Sequence, residues 1–343
     1  MGNLPERAPA ADGVGRAAAA GRGRARVLFA VVLFAVVLAL AALLSWARVQ
    51  FNEVFPPGTI LRVACEERLP ASRPFDFRIF MPALVVRVRA FLGGAPSIES
   101  VFHVFDSAAI VGAFYALRRL ARHALRDERA ALLTALALFP ALACHFVLPR
   151  LYPYWYAWDM STVFFISTGL LLLRESRWFV FYPLFVLASY NRETTFVLSV
   201  VYALTALGRE PWRRIALHVS AQAALWFAVK YSLYLSNPRA VGAKMLLYRP
   251  NAEKNEEALG ELSTYLWLAT SFAFAWIPLL LWWRAQRDPW TRRALWIVPL
   301  YALLMFRAAN WGELRVWGEL IPIVLLGAGA ALTGRWLRPT PHV

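Results

Sequence analysis

Apolar residues fall in blocks at about 27–46, 100–117, 130–148, 160–173, 178–190, 194–207, 215–235, 264–283, 294–306 and 316–333. Polar or charged links separate the blocks. The pattern predicts ten helices, several of them shorter than the roughly 20 residues that a full bilayer crossing needs. An eleventh segment, Ile79–Leu92, carries Arg87 and Arg89 inside an apolar run. That pattern predicts an amphipathic helix lying along a membrane surface, with Pro82 near its start as a helix opener.

From Trp178 to Leu207 the only charged residues are Arg192 and Glu193, side by side at the centre. One helix of that length would span about 45 Å, against a hydrocarbon core of about 30 Å. It would also send the basic flanks Arg174/Arg177 and Arg209/Arg213/Arg214 to opposite sides. A hairpin with its tip at Tyr190–Thr194 avoids both. Each arm is then roughly 20 Å long, so the tip stops beneath the far surface. Non-helical backbone at that depth is tolerated only where it is buried in protein or lines a watery cavity. Asn191 is expected to cap the second arm, and Glu193 to sit in its first turn, where an acid suits the helix dipole. Arg192 remains as a planar cation suited to a phosphate.

Composition places the chain in the membrane class. Of 343 residues, 59% are hydrophobic and 17% charged, with a mean hydropathy of +0.49. The expected fold is an all-α polytopic membrane protein with about ten membrane helices. A net charge of +16 would point to nucleic acid on a soluble protein. Here it sorts by side, and no nucleic-acid partner is expected. Starting with the N-terminus inside, segments 1–26, 118–129, 174–177, 208–214, 284–293 and 335–343 hold 21 of the 37 basic residues and only seven acids. This bias predicts both termini in the cytoplasm. The expected organisation is a disordered basic tail over 1–26, one helical membrane domain over 27–337 and a short tail over 338–343. Large outer loops are expected at 48–99 and 236–263, with a short aromatic one at 149–159. Tyr152, Tyr154, Trp155, Tyr156 and Trp158 in that short loop fit an interfacial aromatic belt. Cys65 and Cys144 have no CxxC partner and are expected as free thiols.

The outer side collects the chemistry. Asp76 and Arg78 precede the amphipathic segment, and Asp159 opens a helix as its N-cap. Arg307, Asn310, Glu313, Arg315 and Glu319 cluster before the last helix, with Arg315 and Glu319 spaced as an i,i+4 ion pair. His103 and Asp106 are spaced i,i+3 inside the second helix, where they would form an interior pair or a proton relay. Lys230, near a span end, is expected to snorkel outward. Glu53, Glu66, Glu67 and Asp76 of the first loop are the candidate general bases, and the sequence does not rank them. No Walker or GxGxxG loop, HExxH, serine nucleophile elbow or internal repeat is present. No metal-ligand set is legible, and a divalent cation is left open.

At "YWYAWDMSTVFFISTGLLLL", "SYNRETTFVL" and "GELRVWGELIP" the chain resembles a group of bacterial multi-pass proteins that look like the GT-C superfamily of glycosyltransferases. The resemblance covers about residues 75–82, 150–205 and 307–322. It implies a GT-C-like fold in the bacterial inner membrane, with the active site at the periplasmic face. It implies a polyprenyl-phosphate-linked sugar as donor and a cell-envelope acceptor. An acid of the first outer loop, one of Glu53, Glu66, Glu67 and Asp76, would assist attack. Arg192, Asn191, Glu193, Asp159, Arg78, Arg315 and Glu319 would hold the substrate and its phosphate. Two other classes compete: a transporter or lipid flippase with a polar path through Asp106, Asp159, Arg192 and Glu193, and an assembly protein in which these pairs only join helices.

Overall fold

The first apolar run forms helix α1 (Asp12–Phe51), which extends back into the stretch expected to lack order. Alanine and arginine are both good helix formers, and they dominate that extension. The structure is a computed structural model that describes residues 12–54, 78–148, 154–236 and 249–336. For 12–24, 53, 54, 154, 249–251 and 336 it describes the backbone alone. After α1, Glu53–Val54 (β1) pairs in parallel with Tyr154–Trp155 (β2). The amphipathic segment is α2 (Phe80–Phe91). It buries Met81, Pro82 and Val85 and leaves Phe91 and Leu92 exposed.

Helix α3 (Ile98–Leu125) starts at Ser97, whose hydroxyl accepts from the Ser100 N–H, and ends at Arg126 in the left-handed region. Asp127 caps α4 (Glu128–Leu136), which leads into α5 (Leu138–Phe146). Next come α6 (Asp159–Arg174), α7 (Trp178–Asn191), a 3-10 turn over Glu193–Phe196 and α8 (Val197–Ala206). The chain continues through α9 (Trp212–Ser236), α10 (Arg249–Leu259) and α11 (Leu262–Thr270). The expected helix over 264–283 is broken: Phe272, Ala273 and Phe274 take positive φ before α12 (Trp276–Leu281). The break seats the Phe272 ring against His145, with centroids 4.8 Å apart. Asp288 caps α13 (Pro289–Ala294), with proline in the first turn. Then follow α14 (Ile297–Ala308), a 3-10 helix over Leu314–Leu320 and α15 (Ile321–Trp336).

Among the described residues, four helical stretches are long and apolar enough to cross a membrane: Ala25–Phe51, Ile98–Leu125, Glu128–Phe146 and Leu314–Arg335. The other apolar helices are shorter, Trp178–Asn191 and Glu193–Ala206 among them. Together they give a helical protein of membrane character. Much of α1 carries exposed Val, Leu and Phe, a surface suited to lipid rather than water.

The hairpin is present. Trp178 begins one arm and Tyr202 nears the end of the other, yet their rings lie 4.9 Å apart. A straight helix would separate those residues by about 36 Å. His218, near the start of α9, stacks on Trp178 at 3.7 Å, so three helix ends meet there. Gly169 of α6 lets the second arm approach closely, since a Cβ there would fall 2.5 Å from a Leu198 methyl.

The links expected inside gather at that same end of the helices. Arg119 donates to Glu175 at 2.6 Å, Arg174 holds Asp288 at 2.9 Å, and Arg293 donates to the Leu207 carbonyl. Burial alone would raise the Glu175 and Asp288 carboxyls, but their partners overcome it. His123 and Arg119 hold Glu175, and Arg174 and Thr291 hold Asp288, below the usual carboxylate range.

Candidate functional site

At the opposite end the charged residues converge. The hairpin turns where Arg192 adopts extended backbone, φ −157° and ψ 143°. Asn191 is the last residue of α7 and does not cap α8, correcting the sequence expectation. Its amide instead donates to the Trp158 carbonyl at 3.2 Å and to Thr162 Oγ1 at 2.9 Å, and its oxygen accepts from Ser161 at 2.9 Å. A buried amide finds three fixed partners on α6, so the side chain clamps the tip to the start of that helix. Thr195 donates to the Ala188 and Arg192 carbonyls, which also accept the Arg192 and Thr195 N–H groups, and so ties the bend together.

Asp159 also departs from its expected role. It is the first residue of α6, and Trp158 occupies the cap position. Its Oδ2 accepts from the Tyr156 N–H at 3.3 Å and lies 3.6 Å from Arg48. Its Oδ1 lies 3.8 Å from Arg192 and has no hydrogen-bond donor among the described residues. Arg192 Nε sits 3.0 Å from Glu319, which also accepts from Thr194 at 2.6 Å. Glu319 therefore pairs across helices with the hairpin tip, not with Arg315 four residues before it. The reason is local: Leu314–Leu320 is a 3-10 helix, with three residues per turn, so i,i+4 side chains do not face one another. Gly318 admits the Phe146 ring, which a Cβ would meet at 2.6 Å.

Arg315 pairs with Glu313, stacks 3.6 Å from the Tyr156 ring centroid and donates to its hydroxyl at 2.7 Å. Arg78 makes two hydrogen bonds to Glu193, one at 3.0 Å from Nε, and lies over Trp158. The expected aromatic belt is corrected here as well. Trp155, Tyr156 and Trp158 are buried, and each carries an arginine on its face: Arg48, Arg315 and Arg78. Burial pushes the Tyr156 phenol up to about 12, so it stays protonated beside its cation.

Arg48 is the residue that sequence reading missed. It is fully buried near the end of α1, where it pairs with Asp106 and donates to the Tyr156 carbonyl at 3.2 Å. The expected link between His103 and Asp106 is not made; His103 bonds Ser45 at 2.9 Å instead. A signal existed, because Val37, Ala41, Leu44, Ser45 and Arg48 fall on one helical stripe, and that stripe is buried. Lys230 does not snorkel outward: it is buried and donates to the Ser189 carbonyl at 2.8 Å.

These groups surround one cavity of about 610 Å³. Arg78, Asp159, Arg192, Glu193, Glu313, Arg315, Tyr156 and Asn310 line its polar end. Phe196, Val197, Val200, Trp226 and Phe227 line one apolar wall, and Ile297, Leu300, Leu304 and Ala308 of α14 the other. Phe227, Leu300 and Leu304 are also exposed at the molecular surface, so the apolar part opens sideways between helices. Asn255 of α10 secures the rim. Its amide donates to the Phe306 and Ala309 carbonyls and accepts from the Trp311 N–H, each at 2.8 Å.

Of the expected site residues, Arg78, Asp159, Arg192, Glu193 and Arg315 line the cavity. Asn191 and Glu319 stand directly behind it. Glu66, Glu67 and Asp76 lie outside the described residues, as does the side chain of Glu53. No group of His, Cys, Asp and Glu among the described residues is placed to hold a metal ion. No family model, curated protein or solved structure matches this chain.

Proposed function

We propose that this protein is a membrane glycosyltransferase of GT-C-like design, taking a sugar from a polyprenyl-phosphate donor to a cell-envelope acceptor. The observation that carries this reading is the two-part cavity. A cluster of arginines meets the head of a ligand, and an apolar slot along α14 accepts its chain. Residues 297–308 give that slot a length of roughly 16 Å. A lipid phosphate is the ligand whose chemistry matches both halves. Its departure as a leaving group calls for fixed cations in a site poor in water, which Arg78, Arg192 and Arg315 supply. Asp159 Oδ1, buried and lacking a donor among the described residues, suits a sugar or acceptor hydroxyl. Glu53, Glu66, Glu67 or Asp76 serves as the base. No nucleotide fold is required, because the donor phosphate is already an activated leaving group.

In this reading the chain lies in the bacterial inner membrane with about ten membrane helices, the short re-entrant-like hairpin arms among them, and both termini in the cytoplasm. The arginine-rich end is cytoplasmic and the cavity faces the periplasm. A translocation path is the weaker alternative, since Asp106 is buried against Arg48 and does not line the cavity. The test is transfer from radiolabelled polyprenyl-phosphate sugars in membranes containing wild type, Arg192→Ala or Glu193→Gln. The reading expects transfer by wild type and its loss in the correctly folded variants. Normal transfer by both variants removes the hairpin tip from the mechanism.

A further inference from the structure

Every arginine that lines the cavity is already neutralised by a carboxylate: Arg78 by Glu193, Arg192 by Glu319 and Arg315 by Glu313. An incoming phosphate gains the most charge where it can replace one of these partners, and the three pairs differ in how firmly they hold. Glu319 is 1% exposed, accepts from Thr194 and sits behind the cavity, out of a ligand's reach. Glu193 receives two hydrogen bonds from Arg78, and its backbone carbonyl accepts from Trp226 at 2.9 Å. Glu313 lies in the short link between α14 and the following 3-10 helix, and it lines the cavity itself.

The backbone on both sides of Glu313 is fixed. Asn255 holds the Trp311 N–H, and Tyr301 donates to the Val316 carbonyl at 2.8 Å. Glu313 can then leave Arg315 by side-chain rotation alone. Arg315 would not collapse when released, because the Tyr156 ring supports its guanidinium and the Tyr156 hydroxyl accepts one of its N–H groups. It is a pre-oriented cation with a removable counter-ion.

We infer that Arg315, not Arg192, is the cation that takes the ligand's phosphate, and that Glu313 is a built-in competitor displaced when it binds. This rests on the lipid-phosphate reading above. Arg192 then sets the shape of the tip through Glu319 and Asp159. An internal carboxylate that occupies the anion's place lowers apparent affinity by the free energy of the pair it makes. It also rejects weak anions, which cannot repay its displacement.

The test is binding of farnesyl phosphate, farnesol and inorganic phosphate to the purified full-length protein in detergent, followed by calorimetry. Wild type is compared with Glu313→Gln and Arg315→Gln, each checked for a monodisperse size-exclusion peak. Wild type should bind farnesyl phosphate more tightly than farnesol or free phosphate. Glu313→Gln should tighten farnesyl phosphate about three- to tenfold, the scale of a partly buried ion pair. Arg315→Gln should weaken it by about tenfold or more, as expected for a lost charge-assisted contact. If Glu313→Gln does not fold, Glu313→Ala makes the same comparison. Unchanged or weaker binding by the Glu313 variant, or unchanged binding by Arg315→Gln, overturns the inference and leaves the lipid-phosphate reading standing. If neither wild type nor the Glu313 variant prefers farnesyl phosphate to farnesol, both fall.

Discussion

Replacing Arg48 by methionine tests whether the buried charges of this end act as one network. Methionine keeps most of the side-chain volume, so the change removes charge rather than packing. In wild type the guanidinium is fully buried and pairs with Asp106, lies 3.6 Å from Asp159 and donates to the Tyr156 carbonyl. Its loss leaves Asp106, itself 1% exposed, without a cation. Breaking a buried pair by removing one partner costs about 3–5 kcal/mol, because the surviving charge stays desolvated. Removing both partners is far milder, and apolar replacement of a whole buried pair is often neutral within about 1 kcal/mol or stabilising. Arg48→Met is therefore expected to lose about 3–5 kcal/mol, and Arg48→Met/Asp106→Leu to recover most of it. The assay is reversible unfolding in mixed dodecyl maltoside and SDS micelles, followed by far-UV circular dichroism. A single variant within about 1 kcal/mol of wild type, the scale of a surface pair, would refute the reasoning. A double variant as unstable as the single one would do the same.

Other consequences follow from particular contacts. Asn191→Ala strips three hydrogen bonds from the hairpin tip, while the Ser161 and Thr162 hydroxyls keep the Trp158 carbonyl, so a loss of about 1–3 kcal/mol is expected in the same unfolding assay. Gly334→Ala places a methyl 2.0 Å from the Ala285 carbonyl, a backbone atom that cannot swing aside. A loss of about 1–3 kcal/mol is expected, and a neutral result would show that α15 does not pack there. Glu175 and Asp288 are held below the usual carboxylate range. Their contribution is complete above their unfolded values near 4 and is lost as pH falls through the lower folded values. Unfolding midpoints should drop below about pH 4, and Asp288→Asn should flatten that drop while lowering stability at neutral pH.

Much of this arrangement was legible in the sequence, for physical reasons that differ from element to element. The hairpin followed from length and flanking charge, because a 30-residue, mostly apolar stretch exceeds a bilayer and two basic flanks prefer one side. That Arg78, Asp159, Arg192, Glu193 and Arg315 share an end followed from counting segments. Their pairing did not follow, since partners separated by 115 residues, as Arg78 and Glu193 are, leave no periodic trace. Local rules failed where tertiary contacts won. Asn191 and Asp159 look like helix caps, yet both spend their polar atoms on neighbouring elements. Arg315 and Glu319 look like an i,i+4 pair, yet the backbone there winds as a 3-10 helix. Arg48 was hidden because a charge at the end of an apolar run reads as the start of a loop. The arginine-bearing faces of Trp155, Tyr156 and Trp158 were hidden because the same residues suit a membrane interface equally well.

The central claim is that one cavity holds a phosphate at the arginines and an apolar chain between the hairpin, α9 and α14. A farnesyl phosphate bearing a diazirine on its isoprenoid chain tests it most directly, photolysed with the protein in nanodiscs and mapped by peptide sequencing. The account predicts labelling concentrated at Phe196, Val200, Phe227, Leu300 and Leu304, suppressed by unlabelled farnesyl phosphate and not by farnesol. Labelling spread over the lipid-facing side of α1, or equal competition by farnesol, would contradict it.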